Sequence, residues 1–208
     1  MQVLNSSTLF LLTILLLQIN SYADTDDVQI VRGQLACVQL DKTGKAEVSK
    51  EFTECSGLLY LIGVDGNLYS LHGSEEEMQR INQGSKSRMG YRLPLRLKGK
   101  TAGHQKAWHL CTPSLEPQDN KAKTTITGTI ICVFSDHEQD GVNPVKAEGP
   151  CDKYEPHAHF IQTNNGEIYA IHGELERIDS IQKNPQRENA ALRGKVGGNE
   201  SGWILYVD

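Results

Sequence analysis

The chain has 208 residues, 38% of them hydrophobic and 23% charged, with 19 glycines against 7 prolines and a formal net charge of -5. That composition excludes collagen-like, coiled-coil and extensively disordered chains, and the length suits one or two compact domains. The acidic balance also argues against a chain dedicated to nucleic acid.

The long apolar run lies at the extreme N-terminus, residues 9–17, interrupted by Thr13. A helix that crosses a bilayer needs roughly 20 apolar residues, so this run is too short to span one comfortably. Ser21 and Ala23 place small residues at the -3 and -1 positions of a signal-peptidase site, and acidic Asp24, Asp26 and Asp27 follow. Residues 1–23 therefore read as a secretory signal peptide, although no Lys or Arg precedes the apolar run. The expectation is an exported chain, periplasmic or extracellular, with neither a membrane span nor a lipid-bearing cysteine. Thiols in such compartments tend to be oxidised.

Beyond residue 23 the sequence repeats. Gly33-Gln34-Leu35-Ala36-Cys37 is matched by Gly128-Thr129-Ile130-Ile131-Cys132, at an offset of 95. Asp65-Gly66-Asn67-Leu68-Tyr69-Ser70-Leu71-His72-Gly73 is matched by Asn165-Gly166-Glu167-Ile168-Tyr169-Ala170-Ile171-His172-Gly173, at an offset of 100. Leu97-Lys98-Gly99-Lys100 matches Leu192-Arg193-Gly194-Lys195, and Trp108 matches Trp203. Four matches in one order imply a tandem duplication, with one unit over 24–111, a linker over 112–123 and a second unit over 124–208.

Within a copy the elements follow from pattern. Residues 28–40 are rich in β-branched and apolar side chains and read as a strand. Residues 58–64 and 67–72 read as a hairpin across Asp65-Gly66, a dipeptide suited to a type I′ turn. A helix opens after Gly73-Ser74, with Glu75 to Glu77 complementing its dipole and Met78 and Ile81 facing the core; Ile178 and Ile181 do the same in the second copy. Strands over 91–100 and 107–111 complete the first copy, and strands over 190–196 and 202–207 the second.

The duplication also arranges the five cysteines. Cys37 and Cys55 occupy the places of Cys132 and Cys151, so each copy is expected to close one loop with its own disulfide, leaving Cys111 as an unpaired thiol. A loop of this length contributes on the order of 3 kcal/mol.

Five strands with one helix between the third and fourth resemble the oligonucleotide/oligosaccharide-binding (OB) barrel. The resemblance implies a mainly β protein of two tandem OB-like five-stranded barrels, each with one short helix. A different small antiparallel barrel, or a five-stranded sheet with a helix, fits the same pattern. Fold alone does not dictate function.

Differences between the copies point to function better than what they share. The second copy has four extra residues around Tyr154-Glu155-Pro156-His157-Ala158-His159. On a strand His157 and His159 share a face, and imidazoles are common ligands for copper, zinc and nickel, with Glu155 or His137 as further donors. Exposed histidines at a loop-to-strand junction are the plainer reading. The first copy instead carries a cationic strand, in which alternation places Arg92, Arg96, Lys98 and Lys100 on one face. Such a stripe suits an anionic ligand or an acidic extracytoplasmic partner, or else blunts an exposed edge.

No nucleophile elbow, phosphate loop, dinucleotide fingerprint or His-Glu-x-x-His stretch is present. The expected function is a non-catalytic binding or adaptor module without a required cofactor, recognising an anionic ligand or acidic partner and not nucleic acid. The alternative is a copper- or zinc-binding protein using His157 and His159. An enzyme built around Cys111 or His104 stands third, and a dimer bridged by Cys111 is a further option.

Overall fold

The computed structural model describes residues 28–50, 52, 54–86, 95–103, 108–111, 122–139, 141–147, 149–151, 156–200 and 202–207. Residues 1–23, expected to be a signal peptide, together with Arg92, His104, Glu155 and most of the expected linker, lie outside the described residues. No helix among those described is long and apolar enough to cross a membrane.

Among the described residues the chain is mainly β, with two helices. In the first half β1 (Val28–Leu40), β2 (Ala46–Ser49), β3 (Leu58–Gly63), β4 (Leu68–His72), β5 (Leu95–Ala102) and β6 (Trp108–Cys111) form one sheet, with α1 (Glu75–Lys86) between β4 and β5. The order is β2-β1-β3-β4-β6-β5, with β4 and β6 parallel. β5 also returns to β1, with Ile30 opposite Lys98 and Arg32 opposite Arg96, so β1, β3, β4, β6 and β5 make a closed five-stranded barrel. The second half has β7 (Thr124–Gln139), β8 (Gly141–Ala147), β9 (His157–Thr163), β10 (Ile168–Gly173), α2 (Leu175–Lys183), β11 (Ala190–Asn199) and β12 (Gly202–Val207). Its sheet runs β11-β12-β10-β9-β7-β8, with β10 and β12 parallel and β11 bonded to β7 as well as to β12.

Local chemistry explains the joints. Ser74 and Glu77 form a reciprocal N-terminal cap on α1, with Glu77 N–H donating to Ser74 Oγ at 3.3 Å and Ser74 N–H to Glu77 Oε2 at 3.0 Å. The β3–β4 turn is not type I′. Among its residues only Gly66 has positive φ, at 85°, and Gly66 N–H donates to Gly63 O at 3.0 Å. Asp65 accounts for the wider loop, its carboxylate accepting from Asn67 N–H at 3.1 Å and Tyr69 O–H at 2.6 Å. The stretches after β1 and β7, to which the sequence pattern assigns no element, hold the edge strands β2 and β8.

The core has three parts. Leu35, Leu59, Leu61, Tyr69, Leu71 and Met78 fill the barrel beneath α1, and Ile130, Ile161, Ile171, Ile178 and Leu205 pack together in the second half, with Ile178 supplied by α2. The third part joins the halves: Val38, Leu58, Tyr60, Ile62 and Leu68 pack against Ile131, Val133, Phe160 and Ile168. Strand alternation sorts the side chains, odd positions of β3 facing into the barrel and even positions facing the other half. Hence all six residues of β3 are buried. The Tyr60 and Phe160 rings, centroids 5.9 Å apart, lie at this interface. At one edge Gln162 pins the first half, accepting from Ala46 N–H at 2.9 Å and donating to Gly44 O at 2.6 Å.

Candidate metal centre

β7 and β9 bring the chemistry together by register. Cys132 lies directly across from His159, and Phe134 across from His157. Because β9 alternates, His157, His159 and Ile161 turn inward while Ala158 and Phe160 turn to the shared interface. Cys151 arrives from the segment between β8 and β9, its N–H directed at Gln182 O of α2 at 3.4 Å. In the first half Leu59 stands opposite Cys37, where the second has His159 opposite Cys132. A hydrophobic packing position has become a donor.

Cys132, Cys151, His157 and His159 are all buried, each 1% exposed or less. Their four donor atoms lie within 4.8 Å of one another. The Cys151 sulfur is 3.2 Å from His159 Nε2, and the two imidazoles meet edge to face with centroids 4.7 Å apart. Both nitrogens of His157 and Nδ1 of His159 have no hydrogen-bond partner among the described residues. An unmade hydrogen bond of that kind costs about 1–3 kcal/mol per buried group, so the cluster is under-satisfied as a set of protein groups alone.

The electrostatics favour one thiolate. The neighbouring Cys132 thiol, together with the imidazoles, holds Cys151 well below the usual thiol range, against the opposing effect of burial. Burial, and then the adjacent Cys151 sulfur, push Cys132 the other way. Burial lowers His159, keeping its imidazole neutral and available as a donor. Arg187, itself buried, donates to Gln182 O at 2.8 Å and approaches the Cys151 sulfur at 3.5 Å. A buried Cys/His cluster of this composition can hold a metal ion.

The cysteines correct part of the sequence expectation. Cys37 and Cys55 are bridged, with Cα atoms 5.7 Å apart. Cys132 and Cys151 are free thiols and carry no second disulfide; the Cys151 sulfur faces His159 and Arg187 instead. Subtracting that pair as a disulfide is what left His157 and His159 as half a site. The signal that finds the full site is the change from Leu59 to His159 opposite the repeated cysteine. Of the cationic strand, Arg96 and Lys98 are exposed on β5. The side chains of Lys100, Cys111 and His137 lie outside the described residues, although their backbones belong to β5, β6 and β7.

The repeated histidines form a second, satisfied cluster between the halves. His72 Nδ1 faces Gly202 O at 3.0 Å, and a carbonyl only accepts, so the proton sits on Nδ1. His72 Nε2 then accepts from Ser70 O–H at 2.8 Å, and Ser70 Oγ accepts from His172 Nε2–H at 2.8 Å. Burial, reinforced by His172, lowers His72 to about 3. This chain of neutral hydrogen bonds ties the halves together and offers no free donor at His72 Nδ1 or at either Nε2.

No family model, curated protein or solved structure matches the chain.

Proposed function

We propose that this protein is an exported metal-binding module, in which Cys132, Cys151, His157 and His159 hold one zinc or copper(I) ion. The scaffold on this reading is a pair of OB-like barrels joined along their outer faces. The observation that carries the proposal is the convergence of four buried donors within 4.8 Å, with three imidazole nitrogens that have no hydrogen-bond partner among the described residues. Two thiolates and two imidazoles are the donors that zinc takes tetrahedrally, and soft thiolates also select copper(I). Zinc–sulfur bonds of about 2.3 Å and zinc–nitrogen bonds of about 2.0–2.1 Å place tetrahedral donors roughly 3.4–3.8 Å apart. The cluster therefore has to contract by only about 1 Å. The protein fills all four positions, leaving none for water or substrate, so the ion's task is to hold the second half together or to be carried. Cys37–Cys55 staples the first half at the equivalent place.

The test is metal content. Protein purified without chelator under mild reductant and analysed by plasma mass spectrometry should contain about one zinc or copper per chain, and Cys151→Ser or His157→Ala should lose it. Failure to take up stoichiometric metal after incubation of the reduced protein with each ion refutes the proposal.

A second reading rests on the outer surface of the first half. Arg32 and Arg96 are exposed and directly opposite each other on β1 and β5, with Lys98 beside them opposite exposed Ile30. Like charges placed across a ladder destabilise it unless an anion lies over them, so this face suits an acidic partner or anionic ligand.

A further inference from the structure

We infer that Cys132 and Cys151 form a redox pair whose oxidation to a disulfide expels the bound ion, making metal occupancy a readout of thiol state. The inference rests on the metal reading above and adds its regulation.

The argument comes from the chain's own internal comparison. Cys37 and Cys55, separated by 18 residues, are bridged with Cα atoms 5.7 Å apart, inside the range that disulfides accept. Cys132 and Cys151 occupy the same places in the repeated sequence. Cys132 is also held in the same register, its partner on the neighbouring strand being His159 where Cys37 faces Leu59. This backbone framework therefore accommodates either state. What differs in the second half is the company: His157 and His159 offer a competing use for the same two sulfurs. Arg187 also stands against the Cys151 sulfur, at 3.5 Å.

The chemistry balances with a small-molecule disulfide as oxidant. The Cys151 thiolate attacks one sulfur of the oxidant and releases the first thiolate. Cys132 then attacks Cys151 Sγ in the mixed disulfide, forming the Cys132–Cys151 bond and releasing the second thiolate. The two protein sulfurs lose two electrons and the oxidant gains them, and the two released thiolates take up protons from solvent. The ion leaves at unchanged charge, because a disulfide sulfur no longer supplies the anionic donor a zinc site requires.

The experiment uses the full chain carrying Cys111→Ser, loaded with zinc under mild reductant, desalted and titrated with oxidised glutathione. Released zinc is followed with a chromogenic chelator and cysteine pairing by peptide mapping. The expected result is zinc release in step with Cys132–Cys151 formation, at about one ion per new disulfide, while Cys37–Cys55 stays bridged; reductant and zinc together restore the loaded state. Zinc that binds but survives oxidation, or a disulfide that forms without release, overturns the linkage and leaves the metal centre standing. A reduced chain that takes up no zinc at all overturns the metal reading and the linkage with it. His159→Leu, which installs the first half's residue, should form the Cys132–Cys151 bond and bind no zinc. Failure of that variant to form the bond refutes the claim that the backbone accepts either state.

Discussion

The shared core predicts that the two halves unfold together, and Phe160→Ala tests it. Phe160 is fully buried, its ring faces Tyr60 of the other half, and it belongs to the cluster that joins both sheets. A buried Phe removes about 150–250 Å² from water, and its loss to Ala costs about 3–5 kcal/mol once the residual cavity is included. In a chain of this size each kcal/mol shifts the melting temperature by about 2–4 °C, so a fall of roughly 6–20 °C is expected. The chain has two tryptophans, Trp108 in the first half and Trp203 in the second. Replacing each in turn by Phe gives a fluorescence reporter for one half at a time. Coupled halves require both reporters to melt at one temperature and to shift together on Phe160→Ala. If the Trp203 signal moves and the Trp108 signal stays within about 1 °C, the halves are separate folding units and the reasoning fails.

Other outcomes follow from single features. His72 is lowered to about 3 from an ordinary 6.5, so below pH 6.5 the unfolded chain binds a proton that the folded chain refuses. Stability should fall by roughly 5 kcal/mol as the pH drops from 6.5 to about 3, with no contribution from this group above pH 7.5; urea midpoints across that range check it, and His72→Gln should flatten the slope. A Cβ on Gly128 would lie 2.0 Å from the backbone oxygen of Gln162, so Gly128→Ala should destabilise by about 1–3 kcal/mol or more in chemical denaturation, and an effect under about 0.5 kcal/mol would refute the close approach. If the basic face of the first half recruits an anion, Arg96→Glu with Lys98→Glu should abolish heparin retention that weakens with salt; retention unchanged by either removes that reading.

Much of the scaffold is legible in sequence because it is local. β1 covers the stretch 28–40 that its apolar and β-branched side chains mark out, and Met78, Ile178 and Ile181 face the core as helical spacing requires. The Cys37–Cys55 bridge follows from the repeat and its spacing. The joint between the halves is harder to see. The unbroken run from Leu58 to Ile62 announces a strand covered on both faces, but local pattern does not say by what, and the answer lies about a hundred residues away at Phe160 and Ile168. β2 and β8 are short edges, steadied in part by contacts across the joint such as Lys146 Nζ to Ala46 O at 3.3 Å, a long-range stabilisation with no local signature. The cysteine–histidine cluster is half visible in the sequence. His157 and His159 stand out by alternation, but the repeat itself misleads at Cys132 and Cys151, because like positions in the two copies have been put to unlike chemistry.

The faces that join the halves also bear on symmetry. Tyr60 meets Phe160 and His72 meets His172, each residue touching the one about a hundred positions on that plays its own part in the other copy. Contacts between like positions are the mark of an isologous, two-fold interface. A single unit expressed alone would present Tyr60, Ile62, Leu58 and Leu68 to water, a patch that calls for a second copy. With both faces carried on one chain, the joint needs no second chain to form, and the two halves can differ in chemistry at matching register, a disulfide in one and a cysteine–histidine cluster in the other.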